Sequence, residues 1–600
     1  MNTNKIKIAY TKRMKQILWF IALFPQFLLA IQPVKWQAQW IMHPEVEPQS
    51  YAVVLFRKNF NLNSKPDSFI IHVSADNHYR LFVNGKYVLR GPARGDLSHW
   101  FYETIDIADF LRSGKNIIAA EVINWGPKRS FSYFSQMTSF ILQGNSSKEE
   151  VINTSAGSWK CFHNKAIYPK IVDWMFDRTT INSGLYLGNP TDSVRGEKYP
   201  WGWETLDYND ADWELAKWAD VAGERGTQYA GGILYSAGKL LVSRRVPILK
   251  ETPVPFQKIG RVSGIEKEEG FIKGTHPLTI SSHRKVSLLI DQTHLTVGYP
   301  EMLVSGGKGA RIQITYAENL LLNREVKGNR DEIDGKYMVG IKDVFIPDGG
   351  KNRLFKPTYL RAFRFIQLDI ETENEPLVIE KYEHVECRSP LELKAKFSAD
   401  NDLVNWIMEA GWRTISLCAQ DYLMSDAYYE QLQYVGDSRV HNLALFTLSG
   451  DNRLTRNALL QFDQSRISEG LTLACYPNAF YLIIPSYSLI WIDQIYDYMM
   501  WRDDKAFISQ FELGIQNVLY WFEQRMQPNG LIGKMEWWGA LAWPRHYQNG
   551  EPPTIYEGNN TLYTLHYAYT LRHAAAIFEF LGEKEKADGV IDGRTRFVSQ

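Results

Sequence analysis

Near residue 395 the hydrophobic period of the chain changes, and this limits it to folds in which a β part precedes a helical part. Upstream, "YAVVLFRKNFNL", "SFIIHVSADNHYRLFVNG" and "NIIAAEVINWG" are short runs of β-branched and aromatic residues that alternate and end at Gly or Asn-Gly. Period-two alternation of this kind marks strands with one buried face. Asn84-Gly85 supplies the positive φ angles of a tight hairpin inside "RLFVNGKYVLRG". Such close spacing predicts a β-sandwich over residues 34–244, with "GWETLDYNDADWELAKWA" (202–219) ending in a short helical stretch. Residues 245–390 read the same way. Gly306, Gly307 and Gly309 act as turn residues and "LRAFRFIQLDIE" is a further alternating strand, which predicts a second sandwich.

Beyond residue 390 the apolar spacing becomes helical. Candidate helices lie at about 402–418, 429–448, 453–464, 484–501, 504–526 and 559–581. Loops rich in Trp, Gly and Pro, such as "KMEWWGALAWPRHYQNGEPP", separate them. Paired amphipathic helices with long loops point to an α/α barrel or toroid over 391–600. The expected fold class is therefore multidomain β + α: N-terminal β-sandwich domains followed by an (α/α)6 six-hairpin barrel. Six or seven helices are about half of the twelve that six hairpins need. This implies a fragment whose barrel is incomplete at its C-terminal end.

Composition narrows the function. Lys plus Arg and Asp plus Glu both total 67, and the zero net charge argues against a nucleic-acid partner. The 19 Trp and 32 Tyr suit sugar rings, and they suit large β cores equally. Cys161, Cys387, Cys418 and Cys475 show neither zinc-ligand spacing nor a dense disulfide framework. The N-terminus combines Lys5, Lys7, Lys12, Arg13 and Lys15 with the apolar run "ILWFIALFPQFLLAI", interrupted by Pro25. Residues 1–30 thus read as a signal peptide cleaved near Ala30, which predicts export to the periplasm or the exterior.

The stretch carrying the chemistry is "MSDAYYEQLQYVGDSRV" (424–440). On a helix over 429–448, Glu430, Gln433, Tyr434 and Asp437 fall at i, i+3, i+4, i+7 and share one stripe. A surface helix with two acids is the bland alternative. The aromatic company, and the lack of Lys or Arg before Arg439, favour a pocket wall. Two carboxylates among aromatics suit glycoside hydrolysis, in which one acid protonates the leaving oxygen. Excluding water raises that acid's pKa toward a working value.

"SDAYYEQLQYVGDSR" resembles the motif of the bacterial α-L-rhamnosidases of glycoside hydrolase family 78, Asp-Cys-Pro-x-x-Glu followed in many members by Gln-x-Gln-Tyr-Val-Gly-Asp. "WIMHP" (40–44), "LFVNGKYVLRGP" (81–92), "DIADFLRSGKNIIAAEVINWG" (106–126), "SGGKGARIQITYAE" (305–318) and "KGNRDEIDG" (327–335) extend the resemblance over nearly the whole chain. The resemblance implies an inverting α-L-rhamnosidase that needs no cofactor or metal and acts on a rhamnose-containing oligosaccharide, polysaccharide or glycoside. It places Glu430 as general acid, Asp437 as a ligand of the rhamnose hydroxyls and Tyr434 as an aromatic lining the site. Trp491, and Trp537 or Trp538, would be further pocket aromatics.

Two departures stand out. Ser425 occupies the position of the motif's first Asp, with Asp426 and Ala427 in place of Cys and Pro, so Asp426 would take over that role by a one-residue shift. The family's general base lies farther along than residue 600 and is not expected in this chain. Glu557 in "IYEGNN" is the nearest loop carboxylate, and it is not assigned as the base. Two other readings remain: a non-catalytic carbohydrate-binding homologue of the same fold, and a glycosidase of the same architecture for another deoxysugar.

Overall fold

The computed structural model describes residues 34–170, 185–225, 238–323, 326–553 and 555–598. The expected signal segment, residues 1–30, lies outside the described residues. Three sheets and a set of helices follow one another in chain order. The first two sheets face each other. A seven-stranded sheet has the order 217–220, 40–42, 139–144, 70–76, 100–106, 240–243, 223–224. A six-stranded sheet has the order 214–215, 160–163, 51–62, 114–125, 78–83, 86–91. The hairpin at Asn84-Gly85 forms as expected, with φ of 51° and 77°.

The long strands Tyr51–Leu62 and Gly114–Trp125 are buried on both faces, and their alternation shows why. Val54, Phe56, Ile118, Ala120 and Val122 fill the core shared with the seven-stranded sheet. Val53, Leu55, Ile117, Ala119 and Ile123 point the other way, into the core of the third sheet. The first sandwich is thereby fused to the block that follows it.

That block is one sheet of 11 strands. The strand Lys285–Gly306 is its spine and changes partners midway. Residues 285–291 pair with 365–371 and with 258–263, whereas 302–304 pair with 353–355. Strands Ile167–Lys170 and Thr191–Arg195, early in sequence, join this sheet through Ile341–Ile346.

The segment 202–219 differs from the expected short helix. Residues 214–215 and 217–220 are strands, pairing with 160–161 and 40–42. Ala216 and Ala219 are buried while Trp218 is exposed, so this stretch was recruited by free sheet edges rather than by helical periodicity.

After residue 400 the structure is helical. The main helices are Asp402–Cys418, Val435–Leu448, Arg453–Gln464, Pro485–Trp501, Glu512–Glu523, Thr561–Leu581 and Lys584–Val598. The expected helix at 504–526 is broken: Asp504 caps a single turn, Lys505–Ile508, and a 3-10 turn at 509–511 precedes Glu512. Trp491, Phe511, Phe522, Tyr563 and Phe578 are among the residues of its separate core. Among the described residues no helix is long and apolar enough to cross a membrane.

Candidate active site

The stretch 424–440 is not one helix. The helix begins at Val435, and Glu430 lies in a separate turn before it. Two features break the expected stripe. The Asp426 carboxylate accepts the N–H groups of Tyr428 (2.9 Å), Tyr429 (2.5 Å) and Glu430 (3.0 Å), closing a single capped turn. Gln431 then takes a positive φ of 56°, which a helix cannot continue through. Residues 431–433 form neither helix nor strand, and Tyr434, with extended backbone, bridges to Cys475.

Each part of the molecule holds this loop. From the third sheet, the Tyr316 carbonyl accepts from the Tyr428 hydroxyl at 2.8 Å. From the helical part, Gln461 Oε1 and the Tyr476 carbonyl each accept from Gln433 Nε2 at 2.8 Å. From the first sandwich, Arg94 pairs with Asp421 and donates to the Tyr422 hydroxyl at 2.8 Å. Tyr422 in turn donates to the Gln431 carbonyl, beside Glu430. Burial, rigid partners and short hydrogen bonds are what a preorganised site requires.

Three carboxylates meet here. Burial pushes the Glu430 carboxyl above its ordinary pKa; the Tyr434 hydroxyl opposes this by hydrogen bonding to it, and the charges of Asp426 and Asp437 add to the rise. Burial also raises Asp437, with Asp426 adding to it. Asp437 sits in the first turn of the helix Val435–Leu448, where backbone N–H groups and the helix dipole favour a carboxylate. Tyr434 is pushed far up by burial, with Cys475 and Glu430 contributing.

The remaining expected residues fall in different places. Trp538 packs in a small apolar group with Tyr487 and donates to the Asn549 carbonyl at 3.0 Å. Tyr487 lies against this acid group: burial lifts its hydroxyl to about 12, and Asp437, Cys475 and Glu430 push the same way. Trp537 is half exposed, at a positive φ of 62°. Trp491 is fully buried, donates to the Leu459 carbonyl at 3.3 Å and meets Phe511 edge-on. It is a core residue of the helical block, not a pocket wall. Glu557 is exposed. Asp426 has both oxygens engaged by its own turn, with Ser425 Oγ 3.5 Å away, so its role here is to shape the loop.

Sequence reasoning missed four participants. Tyr487, Arg94 and Asp421 carry no local motif. Glu318, just past the strand Arg311–Ala317 of the third sheet, has its carboxyl raised by burial and, after the opposing Lys327, by Asp426; it also hydrogen bonds Tyr429. Its only sequence signal was its place at the end of "ITYAE". Among the described residues no group of three or more His, Cys, Asp or Glu side chains is arranged to hold a metal ion.

Residues 392–594 match the family model described as the bacterial alpha-L-rhamnosidase 6 hairpin glycosidase domain. Solved structures share the overall fold. A GH78 family rhamnosidase of Bacillus sp. GL1 superposes with TM-score 0.79 at 16% identity, over 94% of this chain and 76% of its own. The alpha-L-rhamnosidase from Dictyoglumus thermophilum gives TM-score 0.71 at 17% identity, over 94% and 59%. That of Streptomyces avermitilis, complexed with L-rhamnose, gives 0.65 at 16% identity, over 91% and 48%. The chain thus spans three quarters of the first of these and about half to three fifths of the other two. Nothing among curated proteins matches it.

Proposed function

We propose that this chain, whose residues 392–594 match the bacterial alpha-L-rhamnosidase 6 hairpin glycosidase domain, hydrolyses terminal α-L-rhamnosyl bonds of glycans or glycosides. Glu430 protonates the leaving oxygen, Asp437 accepts hydrogen bonds from the sugar hydroxyls, and Tyr434, Tyr487 and Trp538 shape the pocket. One observation carries this reading: a half-buried carboxyl, raised by desolvation and by two neighbouring acids, in a loop held by three parts of the molecule. A raised carboxyl stays protonated nearer neutral pH, which a general acid must do.

We read the reaction as inverting. Inversion requires a second carboxylate about 6.5–9.5 Å from the acid to activate water. No described residue is assigned to that role. The basic, apolar leader supports export. The test is release of p-nitrophenol from its α-L-rhamnoside, with the anomer first formed read by NMR. On an alkyl α-L-rhamnoside, whose leaving oxygen needs a proton, Glu430→Gln is expected to lose about a hundredfold or more in turnover, and unchanged turnover there removes Glu430 as the acid.

A second reading is favoured by one feature. Ser425 stands where a carboxylate is expected, and Asp426 is engaged by its own turn. On that reading the chain binds the sugar without cleaving it. Rhamnose binding with no release of p-nitrophenol by the native chain would select it.

A further inference from the structure

The six-stranded sheet does not close completely on the third sheet. Between them lies a cavity of about 730 Å³, within the range usual for ligand sites. Its residues all fall between 80 and 385, so it shares none with the site around Glu430. Arg80 and Phe82 form one side, on the face of their strand opposite Tyr79, Leu81 and Val83, which fill the sandwich core. Tyr199, Trp201 and Trp203 form a second wall, with the Tyr199 and Trp201 rings 4.4 Å apart and Phe82 edge-on to Trp203 at 5.5 Å. Trp201 is fixed by its indole N–H on the Gly196 carbonyl (2.9 Å) and by the Arg353 guanidinium 4.9 Å from its ring.

The polar lining restricts what fits. Among the described residues, Arg80, Arg353 and Lys356 are the lining cations, and Glu121, Glu204, Glu251 and Glu301 the lining carboxylates, three against four. Each cation is already paired: Arg80 with Glu121, Arg353 with Asp348 and Lys356 with Glu301. A phosphate, sulfate or uronate entering the cavity would find no free counter-charge among the described lining residues and would face Glu204. A neutral, polyhydroxylated ligand meets no such penalty. Its hydroxyls donate to carboxylate oxygens, and its C–H faces lie on the aromatic rings.

We propose that this cleft is a second carbohydrate site, holding a neutral pyranoside segment apart from the catalytic centre. Two sites on one frame raise the effective concentration of a polymer at the reacting end. The cleft stands on its own lining; only the use of a rhamnosyl probe rests on the function proposed above.

Calorimetric titration of the full chain carrying Glu430→Gln, with rhamnobiose, cellobiose and galactobiose as probes, tests it. At least one disaccharide is expected to bind in a manner weakened tenfold or more by Leu354→Trp, which fills the cleft mouth from a half-exposed position. Glu204→Gln, from another wall, is expected to weaken the same event, and neither change alters p-nitrophenol release by the native catalytic site. If rhamnobiose fails while another disaccharide responds to Leu354→Trp, the cleft stands and the rhamnosyl reading weakens. If no disaccharide responds to either substitution, the proposal is overturned.

Discussion

Arg94→Met tests the idea that the first sandwich sets the loop bearing Glu430. Arg94 and Asp421 are both buried, at 5% and 7% exposure. The guanidinium pairs with the Asp421 carboxylate, donates to the Tyr422 hydroxyl at 2.8 Å and lies 3.8 Å from the Tyr422 ring centre. Methionine keeps the apolar stem but removes the charge, leaving the Arg94 backbone N–H (2.6 Å) on the carboxylate. Breaking a buried ion pair from one side costs about 3–5 kcal/mol.

The sign with pH follows from Asp421. Burial pushes its carboxyl up, and Arg94 outweighs burial and holds it below the usual range. The native ion pair therefore stabilises fully above the unfolded carboxyl pKa of about 3.9 and fades as pH falls through the lower folded value. In Arg94→Met the buried carboxyl has lost its cation, so its folded pKa lies above the unfolded one. The variant's deficit is then largest at neutral pH and shrinks as pH falls and the carboxyl protonates. Urea unfolding followed by tryptophan fluorescence at pH 7.5 and pH 5 measures both quantities. A deficit under about 1 kcal/mol at pH 7.5, or one independent of pH, refutes the reasoning.

Other expectations follow from the same loop. Tyr434→Phe removes the hydrogen bond that lowers the Glu430 pKa, so the alkaline limb of the pH–activity profile moves to higher pH; a fixed or lowered limb would count against the contact. Asp426→Ala frees three backbone N–H groups, costs about 1–2 kcal/mol and lowers kcat more than it raises KM, whereas Asp426→Asn restores most of the loss. Trp491→Ala lowers stability by about 3–5 kcal/mol and leaves KM of the folded fraction unchanged; a KM raised severalfold would return it to the pocket. Gly436→Ala brings a Cβ within 3.2 Å of the Tyr487 ring, so sugar affinity falls while the melting temperature changes little.

Much of the fold was readable from period and punctuation. The change near residue 395, the Asn84-Gly85 hairpin and four of the helices needed only local information. The misreadings have local causes too. "YYEQLQYVGD" has helical spacing, yet the Asp426 cap and the left-handed Gln431 divide it, so Glu430 and Asp437 meet through a loop and a helix start instead of along one stripe. Strands at 214–220 were taken up by sheet edges far away in sequence. Trp491 and Trp538 look alike in sequence, and only packing separates a core indole from one beside Tyr487. The Arg94–Asp421 pair joins residues 327 apart, a contact no local pattern encodes.

The account turns on Glu430 as the proton donor, and leaving-group dependence measures that most directly. Glu430→Gln should be compared with the native chain on an unactivated alkyl α-L-rhamnoside and on the 2,4-dinitrophenyl α-L-rhamnoside, whose leaving group departs without protonation. The account predicts a loss of about 10²–10⁴ in kcat/KM on the alkyl glycoside and a far smaller loss on the dinitrophenyl one. Equal losses on both substrates would contradict it, showing that Glu430 supports the loop without giving up a proton.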